Sequence, residues 1–310
     1  MEGQTSVTRY ARAAGHNGTE TKMITQTVNI QQLSIYPVKS LRGFTVDSAT
    51  LTPQGLAHDR QWMIIDSNNR FVTQRKHGQM VLIHTEIIDQ QLILRHRQQP
   101  NHAPLIIDIA HVPTTPEFDA IIWKDTCRVI DEGDAAGQWI SEAIGIPELR
   151  LVRMANTPRP QSKPDLLGEN THTYFADAAP YLIANTASLA AVNQQLRDNG
   201  FDAVPMENFR PNIVIDGIEA FIEHTLDGLT HTDYALKHCY PCQRCVMPTV
   251  DIATGQRHPK QQPFSLISDI NAMPDNPKAP AFGENAILLT GENNIIRVGD
   301  KLSMNPTVKD

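Results

Sequence analysis

The 310-residue sequence has no long apolar run and no surplus of basic residues. Its apolar stretches, such as residues 62–65 and 286–289, are only a few residues long, whereas a helix needs roughly 20 to cross a bilayer. Lysine and arginine number 27 against 34 acidic residues, which gives a formal net charge of −7. Because general nucleic-acid binding needs a basic surface that displaces counterions from phosphates, we expect neither a membrane span nor a nucleic-acid partner.

Cysteine is also scarce, with four residues in the whole chain. Cys127 stands alone, and the other three lie within residues 239–245. So few and so clustered, they argue against a disulfide framework and indicate a metal ligand or a reactive thiolate instead. A reducing compartment fits this usage, and we expect a cytoplasmic protein.

The glycine-rich loops that hold dinucleotides or nucleoside triphosphates are missing as well. Side chains must therefore hold any phosphate group. Without a dinucleotide fingerprint, the chain is not expected to take electrons directly from NADH or NADPH.

The length predicts two domains, at about 150 residues each. Residues 1–24 have few large aliphatic side chains and no helical or strand period, so we predict a disordered tail. Residues 25–145 contain short strands joined by tight turns, which is typical of an antiparallel β-barrel-like domain or a β-sandwich. A second domain is predicted over residues 146–310.

The periodicity predicts a mainly β fold with added helices, in the α+β class. Residues 61–73 form two β-prone runs separated by Asp, Ser and Asn, and these predict a hairpin. Helical spacing is found in residues 134–144 and 186–196. Residues 256–285 are rich in proline and weakly periodic, so we predict a long loop there.

The sharpest chemical feature is the segment 239–245, which reads Cys-Tyr-Pro-Cys-Gln-Arg-Cys. Structural zinc would need four ligands, and a ferredoxin-type cluster would need a further cysteine soon after Cys245. Both are weak interpretations here. Burial as ordinary thiols suits Cys239, whereas Arg244 beside Cys245 favours a thiolate at an exposed strand end.

A second feature is a set of cationic residues next to predicted strand ends. Lys39 and Ser40 follow a strand, Arg60 precedes Trp62, and Arg210 lies in an Asn-Phe-Arg-Pro-Asn segment. Each alone is most simply a solvated surface charge. Together they have the character of a phosphate site built from charge-assisted hydrogen bonds.

Four segments carry a family resemblance. They are Tyr-Pro-Val-Lys-Ser at 36–40, Asp-Arg-Gln-Trp at 59–62, Asn-Phe-Arg-Pro-Asn-Ile-Val at 208–214, and Cys-Gln-Arg-Cys-Val-Met-Pro-Thr-Val-Asp-Ile-Ala-Thr-Gly at 242–255. In this order the chain resembles MOSC-domain proteins with an N-terminal MOSC barrel, and it is similar to the mitochondrial amidoxime-reducing component and its bacterial relatives. The resemblance spans about residues 28–302 and implies a β-barrel MOSC domain packed on the N-terminal one.

This resemblance implies a molybdenum cofactor (Mo-molybdopterin) whose metal is bound by the thiolate of Cys245. Positions that hold the pterin and its phosphate fall on Lys39, Ser40, Arg60, Arg210, Asn212 and Arg244. Asp177 matches an acidic residue near the metal and is the expected proton donor. Relatives often have hydroxyl residues after this aspartate; Ala178 and Ala179 stand here, so Thr186 and Ser188 are expected to compensate.

The implied activity is reduction of N-hydroxylated compounds, such as hydroxylamines or amidoximes. Electrons would come from a separate protein, a ferredoxin or a flavin reductase, because no cysteine follows Cys245 to hold an iron–sulfur cluster. An alternative is a molybdenum-cofactor or sulfur carrier in which Cys245 or Cys242 holds a persulfide. A third is a β-barrel interaction protein with incidental cysteines.

Overall fold

The structure is a computed structural model that describes residues 27–155 and 163–306. The predicted tail at 1–24 lies outside the described residues. The strands of the described part are β1 (Thr27–Ile35), β2 (Phe44–Val46), β3 (Ser48–Thr52), β4 (Gly55–Leu56), β5 (Trp62–Ile65), β6 (Ile83–Ile88), β7 (Gln91–His96), β8 (Leu105–Asp108), β9 (Phe118–Ile122), β10 (Asp125–Asp131), β11 (Arg150–Met154), β12 (Tyr181–Asn185), β13 (Ile213–Asp216), β14 (Leu226–Thr230), β15 (Ala235–Gln243), β16 (Ala272–Met273), β17 (Asn276–Thr290), β18 (Ile295–Arg297) and β19 (Lys301–Pro306). The helices are α1 (Asp134–Ile144), α2 (Pro164–Leu167), α3 (Thr186–Asp198) and α4 (Phe264–Ile270).

Seven strands close into a barrel. They follow the order β12-β13-β1-β19-β14-β15-β17, and β17 pairs with β12 to complete the ring. β12 and β13 run parallel, while the other neighbours in the ring are antiparallel. Val28, Ile30 and Leu33 of β1 are almost completely buried among apolar side chains from the other strands, so β1 contributes to the barrel core.

The smaller sheets form the rest of the molecule. The sheets β5-β11-β10-β9 and β6-β7-β8 form a half-barrel with two apolar clusters, and the larger cluster, which joins side chains from both sheets, is the second core of the molecule. Helix α1 covers this core with Trp139 and Ile140, and it ends at Gly145, whose φ of 74° suits the left-handed C-cap. The sheet β18-β3-β4 packs Leu51 and Ile296 onto the core of the closed barrel.

The predicted fold class is confirmed, because the described residues are mainly β with four helices. The pairing of strands crosses the predicted junction near residue 146 in both directions. β1 joins the barrel of C-terminal strands, whereas β11 at 150–154 pairs with β5 and β10. The boundary between 25–145 and 146–310 stays a prediction.

The long loop predicted over residues 256–285 is wrong. This stretch contains α4, β16 and the first part of β17, and Ala281 and Phe282 of β17 are buried. Prolines usually argue against a strand, but β17 accommodates both of these. Pro277 is exposed near the start of β17, and the carbonyl of Pro280 accepts a hydrogen bond from Arg244 N. Among the described residues, no helix is both long and apolar enough to span a bilayer.

Candidate active site

A cleft opens where the closed barrel meets the half-barrel. Both halves of the chain line it, including the turn after β1, the loop at 175–179 and the end of β15. The cleft holds about 800 Å³ of space, open solvent included. Its polar and thiol lining consists of Lys39, Ser40, Arg60, Arg75, Asp177, Arg210, Asn212, Cys242, Gln243, Arg244, Cys245 and Asn285.

Positive charge dominates this lining. Five of these side chains are basic and one is a carboxylate, Asp177, although the whole chain carries a net charge of −7. Like charges crowded in a partly desolvated cleft repel one another, and an anion relieves that repulsion. The cleft is therefore suited to an anionic ligand.

Two of the cations lie against one aromatic ring. The guanidinium carbons of Arg60 and Arg210 are 4.5 Å and 4.3 Å from the centroid of the Tyr36 ring. Burial and the charge of Arg60 lower the pKa of Arg210 to about 10, so Arg210 is still protonated at neutral pH. Its Nη1 donates to the carbonyl of Leu41 at 2.6 Å, which fixes the side chain in the cleft wall.

Arg60 is held by a network that joins both halves of the chain. It forms an ion pair with the buried carboxylate of Asp59, and its Nη1 also donates to Asn212 Oδ1 at 3.0 Å. Asn212 in turn donates through Nδ2 to the carbonyl of Ser34 on β1 at 3.3 Å. Arg60 Nη2 also donates to the carbonyl of Arg210 at 3.2 Å, so Arg60, Arg210 and Asn212 lie together.

Asp177 is the common acceptor of three donors. Lys39 Nζ forms an ion pair with it, Arg75 Nη2 lies 3.2 Å from Oδ2, and Trp123 Nε1 donates to Oδ1 at 2.9 Å. Burial acts to raise the pKa of Asp177, but the charges and hydrogen bonds of these donors outweigh it and hold the pKa well below its usual range. Asp177 is thus ionised at neutral pH, which argues against its predicted role as proton donor.

Ser40 and Lys39 lie in the turn after β1 and are nearly inaccessible, at 3% and 5% of residue surface. Lys39 Nζ donates to the carbonyl of Phe175 at 2.8 Å, so its ammonium group is fixed at the inner end of the cleft. Ser40 has a φ of 68°, and its hydroxyl lies 3.5 Å from Thr73 Oγ1. Both residues line the cleft, as predicted.

The cysteine segment ends β15 and continues along the cleft wall. Cys242 and Cys245 both line the cleft and are partly exposed, whereas burial raises the pKa of Cys239 to about 11 and keeps it a thiol. Arg244 Nη1 donates to Cys242 Sγ at 3.1 Å, and Nη2 donates to the carbonyl of Phe209 at 2.8 Å. The guanidinium therefore contacts Cys242, and the expectation that it favours a Cys245 thiolate is not supported by this geometry.

The positions of the cysteines also bear on whether the segment binds structural zinc. Within residues 27–155 and 163–306, no three His, Cys, Asp or Glu side chains converge as a metal site. Structural zinc therefore has no ligand set in the described part of the chain.

The family follows from comparison with known proteins. Residues 27–147 match the MOSC N-terminal beta barrel domain, and residues 170–303 match the MOSC domain. The mitochondrial amidoxime-reducing component 1 of Homo sapiens is 33% identical in an alignment of 298 positions that covers 90% of this chain and 83% of that protein. This chain belongs to the MOSC family.

Two further relatives illustrate the breadth of the MOSC family. The mitochondrial amidoxime reducing component 2 of Bos taurus is 32% identical over 241 residues, 76% of this chain and 70% of that protein. The molybdenum cofactor sulfurase of Drosophila mojavensis is 32% identical over 234 residues, 74% of this chain but 29% of that longer protein. The resemblance that the four sequence motifs predicted is confirmed.

Two predicted cofactor residues of this MOSC chain lie outside the cleft. Ser188 is fully buried, donates to Glu223 Oε1 at 2.6 Å and accepts from Phe221 N at 2.8 Å. Thr186 is the exposed first residue of α3. Ser188 packs α3 to its neighbours and Thr186 starts a helix capped by Asn185, so the prediction that they replace missing hydroxyls was wrong.

Two residues at the MOSC cleft were not predicted from the sequence: Arg75, which lines the cleft, and Trp123, which contacts Asp177. Trp123 lies at the tip of the β9–β10 hairpin with a φ of 56°, and Arg75 lies 102 positions before Asp177, which it contacts. A tryptophan in a tight turn is a usable signal, since turns favour small polar residues. The contact of Arg75 has no local signal, because it depends on how the two halves pack.

A phosphate-bearing, metal-binding cofactor fits this lining. Arg244 Nε is buried and has no hydrogen-bond partner within the described chain, so the cleft has a donor left over for an anion. Cys245 provides a thiol in the lining of the same cleft, and thiolates are soft ligands for transition metals. The donor set is thus compatible with the molybdenum cofactor that the family resemblance implies.

Proposed function

We propose that this protein is a molybdenum-cofactor-dependent oxidoreductase that reduces N-hydroxylated compounds with electrons from a separate donor protein. The observation that carries the proposal is the placement of Cys245 in a cleft whose lining has five basic side chains and one carboxylate. Amidoxime-reducing components at 32–33% identity over most of the chain support the substrate class.

Lys39, Ser40, Arg60, Arg210 and Asn212 would hold the pterin and its phosphate. Their side chains are fixed before any ligand arrives, through the contacts of Lys39 with Phe175, of Arg60 with Asn212 and of Arg210 with Leu41. A site prepared in this way loses little side-chain freedom on binding. The thiolate of Cys245 would bind the metal, and the bound cofactor would supply the two-electron chemistry.

The overall reaction consumes two electrons and two protons. An N–O bond is cleaved, so that R–NH–OH + 2 e⁻ + 2 H⁺ yields R–NH₂ + H₂O. Because Asp177 is ionised at neutral pH, it orients Lys39 and Arg75 rather than supplying protons. Because the cleft is open to solvent and Asp177 carries no proton to donate, the protons would come from water.

A carrier of molybdenum cofactor or of sulfur is the second candidate. The contact of 3.1 Å between Arg244 Nη1 and Cys242 Sγ favours it, since a second thiol stands in the same cleft beside a cation. The sulfurase relative supports a link to cofactor sulfur as well. In that case Cys242 or Cys245 would hold a persulfide, and the protein would not turn over N-hydroxylated compounds.

One set of measurements separates the two functions. Purified protein is analysed for molybdenum, pterin and persulfide, and it is assayed with benzamidoxime and reduced viologen dye. We expect molybdenum and pterin near one per chain, turnover of benzamidoxime, and loss of turnover in Cys245→Ser. Cys239→Ser, whose thiol lies in β15 outside the cleft lining, is the matched control and should retain activity. Persulfide without metal would overturn the reductase in favour of the carrier.

A further inference from the structure

Arg75 lies at the outer end of the cleft, closer to solvent than the cations that would hold the cofactor. Its side chain is 28% exposed, compared with 7% for Lys39 and 12% for Arg60. Its guanidinium carbon is 4.4 Å from the centroid of the Trp123 ring, and Trp123 is itself 39% exposed. A ligand that enters the cleft from solvent therefore meets Arg75 and Trp123 before it meets the inner cations.

Trp123 holds the Arg75 guanidinium in a defined orientation. The indole packs edge-on against Phe71, with ring centroids 4.7 Å apart, and its Nε1 donates to Asp177. Arg75 Nη2 donates to the other oxygen of the same carboxylate. A planar guanidinium stacked on a fixed ring loses little freedom when it binds a ligand.

Asp177 leaves part of the Arg75 charge and hydrogen-bonding capacity unused. This one carboxylate accepts from Lys39, Arg75 and Trp123 together, and it is paired most closely with Lys39. A guanidinium has five N–H donors, and the contact of Arg75 with Asp177 uses Nη2 alone. An incoming carboxylate can take the place of Asp177 on Arg75 while Asp177 stays with Lys39.

Resting on the proposed function, we propose that Arg75, oriented by Trp123, selects N-hydroxylated substrates that carry a carboxylate. The carboxylate pairs with the Arg75 guanidinium at the mouth, and the N-hydroxy group extends inward toward Cys245. Arg75 is then a substrate-binding residue, and Trp123 is a positioning residue that acts through it.

The test compares 4-carboxybenzamidoxime with benzamidoxime, both reduced with viologen dye. We expect the wild type to favour the carboxylate by about tenfold or more in kcat/KM, mainly through KM, which is the range for one charge-assisted hydrogen bond. Arg75→Gln should bring this ratio close to one, and Trp123→Ala should lower it without any change in charge. Lys76→Gln removes the neighbouring exposed charge and should keep the wild-type ratio.

Two further measurements make the outcome decisive. Molybdenum and pterin contents of each variant are determined, and loss of cofactor from Arg75→Gln would overturn the inference by assigning Arg75 to the cofactor. Binding of benzoate is titrated through tryptophan fluorescence, and Arg75→Gln should raise its Kd about tenfold or more. If benzoate binding depends on Arg75 but benzamidoxime is not reduced, the proposed reductase function is wrong, whereas the carboxylate-binding site at Arg75 is supported. An unchanged ratio, or an unchanged Kd, in Arg75→Gln would overturn the inference.

Discussion

Arg244 directs a guanidinium hydrogen bond to Cys242, although Cys245 is its neighbour in the chain. The distance from Nη1 to Cys242 Sγ is 3.1 Å, and the second terminal nitrogen is occupied by the carbonyl of Phe209. The two thiols of the cleft therefore have different surroundings. The Cys242 thiol already accepts a hydrogen bond from Arg244, whereas the Cys245 thiol remains available to bind a metal.

The first prediction concerns these two thiols. Cys242→Ser should retain molybdenum and most of the N-reduction activity, because a hydroxyl still accepts a hydrogen bond from Arg244. Cys245→Ser should lose activity, since a neutral hydroxyl is a far poorer ligand than a thiolate. Metal analysis and turnover with viologen dye measure both effects. Equal loss of activity in the two variants, with molybdenum still bound, would contradict a single cysteine ligand.

The second prediction concerns retention of the cofactor. Arg60→Gln and Arg210→Gln should each weaken cofactor binding about ten- to a hundredfold, because each removes charge-assisted hydrogen bonds of roughly 1.5–3 kcal/mol. Pterin and molybdenum contents after dialysis give the measurement. Arg128→Gln is the matched control, since Arg128 of β10 pairs with Asp119 of β9 and with Glu117 just before β9, away from the cleft. Full pterin content in both cleft variants would show that these residues do not hold the cofactor.

The third prediction is a pH dependence of stability that arises at His238. Burial lowers the pKa of His238 to about 4, against about 6.5 in an unfolded chain. The unfolded state thus binds the proton first, so stability should fall by about 3 kcal/mol as the pH drops from about 6.5 to about 4. Urea denaturation at a series of pH values measures this loss.

The variant His238→Gln removes this titration. Its free energy of unfolding should change less over the same pH range than that of the wild type. The exposed His111→Gln should keep the wild-type slope and serves as the control. Parallel curves for the wild type and His238→Gln would assign the acid sensitivity to other groups.

The fourth prediction concerns the electron donor. Reduced viologen should support turnover of an N-hydroxylated substrate, whereas NADH alone should not, because the sequence has no dinucleotide fingerprint. With a protein donor, the rate should change with ionic strength, since transient redox encounters are small and steered by charge. Turnover with NADH alone, in a preparation free of reductase, would contradict this prediction and indicate a nucleotide site on the protein.

Much of the fold could be predicted from local patterns. Residues 134–144 and 186–196 were predicted as helices, and α1 and α3 occupy Asp134–Ile144 and Thr186–Asp198. Hairpins and strands also follow from alternation, because the side chains of a strand point to opposite faces. The prolines of residues 256–285 led to the wrong prediction of a loop. Phe282 is buried against α3 and α4, and this burial outweighs the low strand propensity of the prolines.

The sequence by itself determined the class of the fold, the four motifs and the residues most suited to hold a phosphate and a metal. Those properties depend on residue type and short spacing, and both can be read along one chain. Only the tertiary structure decided that β17 closes the barrel on β12, that Ser188 packs on Glu223, and that Arg75 meets Asp177. These contacts join residues 35 to more than 100 positions apart, and no local pattern encodes them because packing alone brings the segments together.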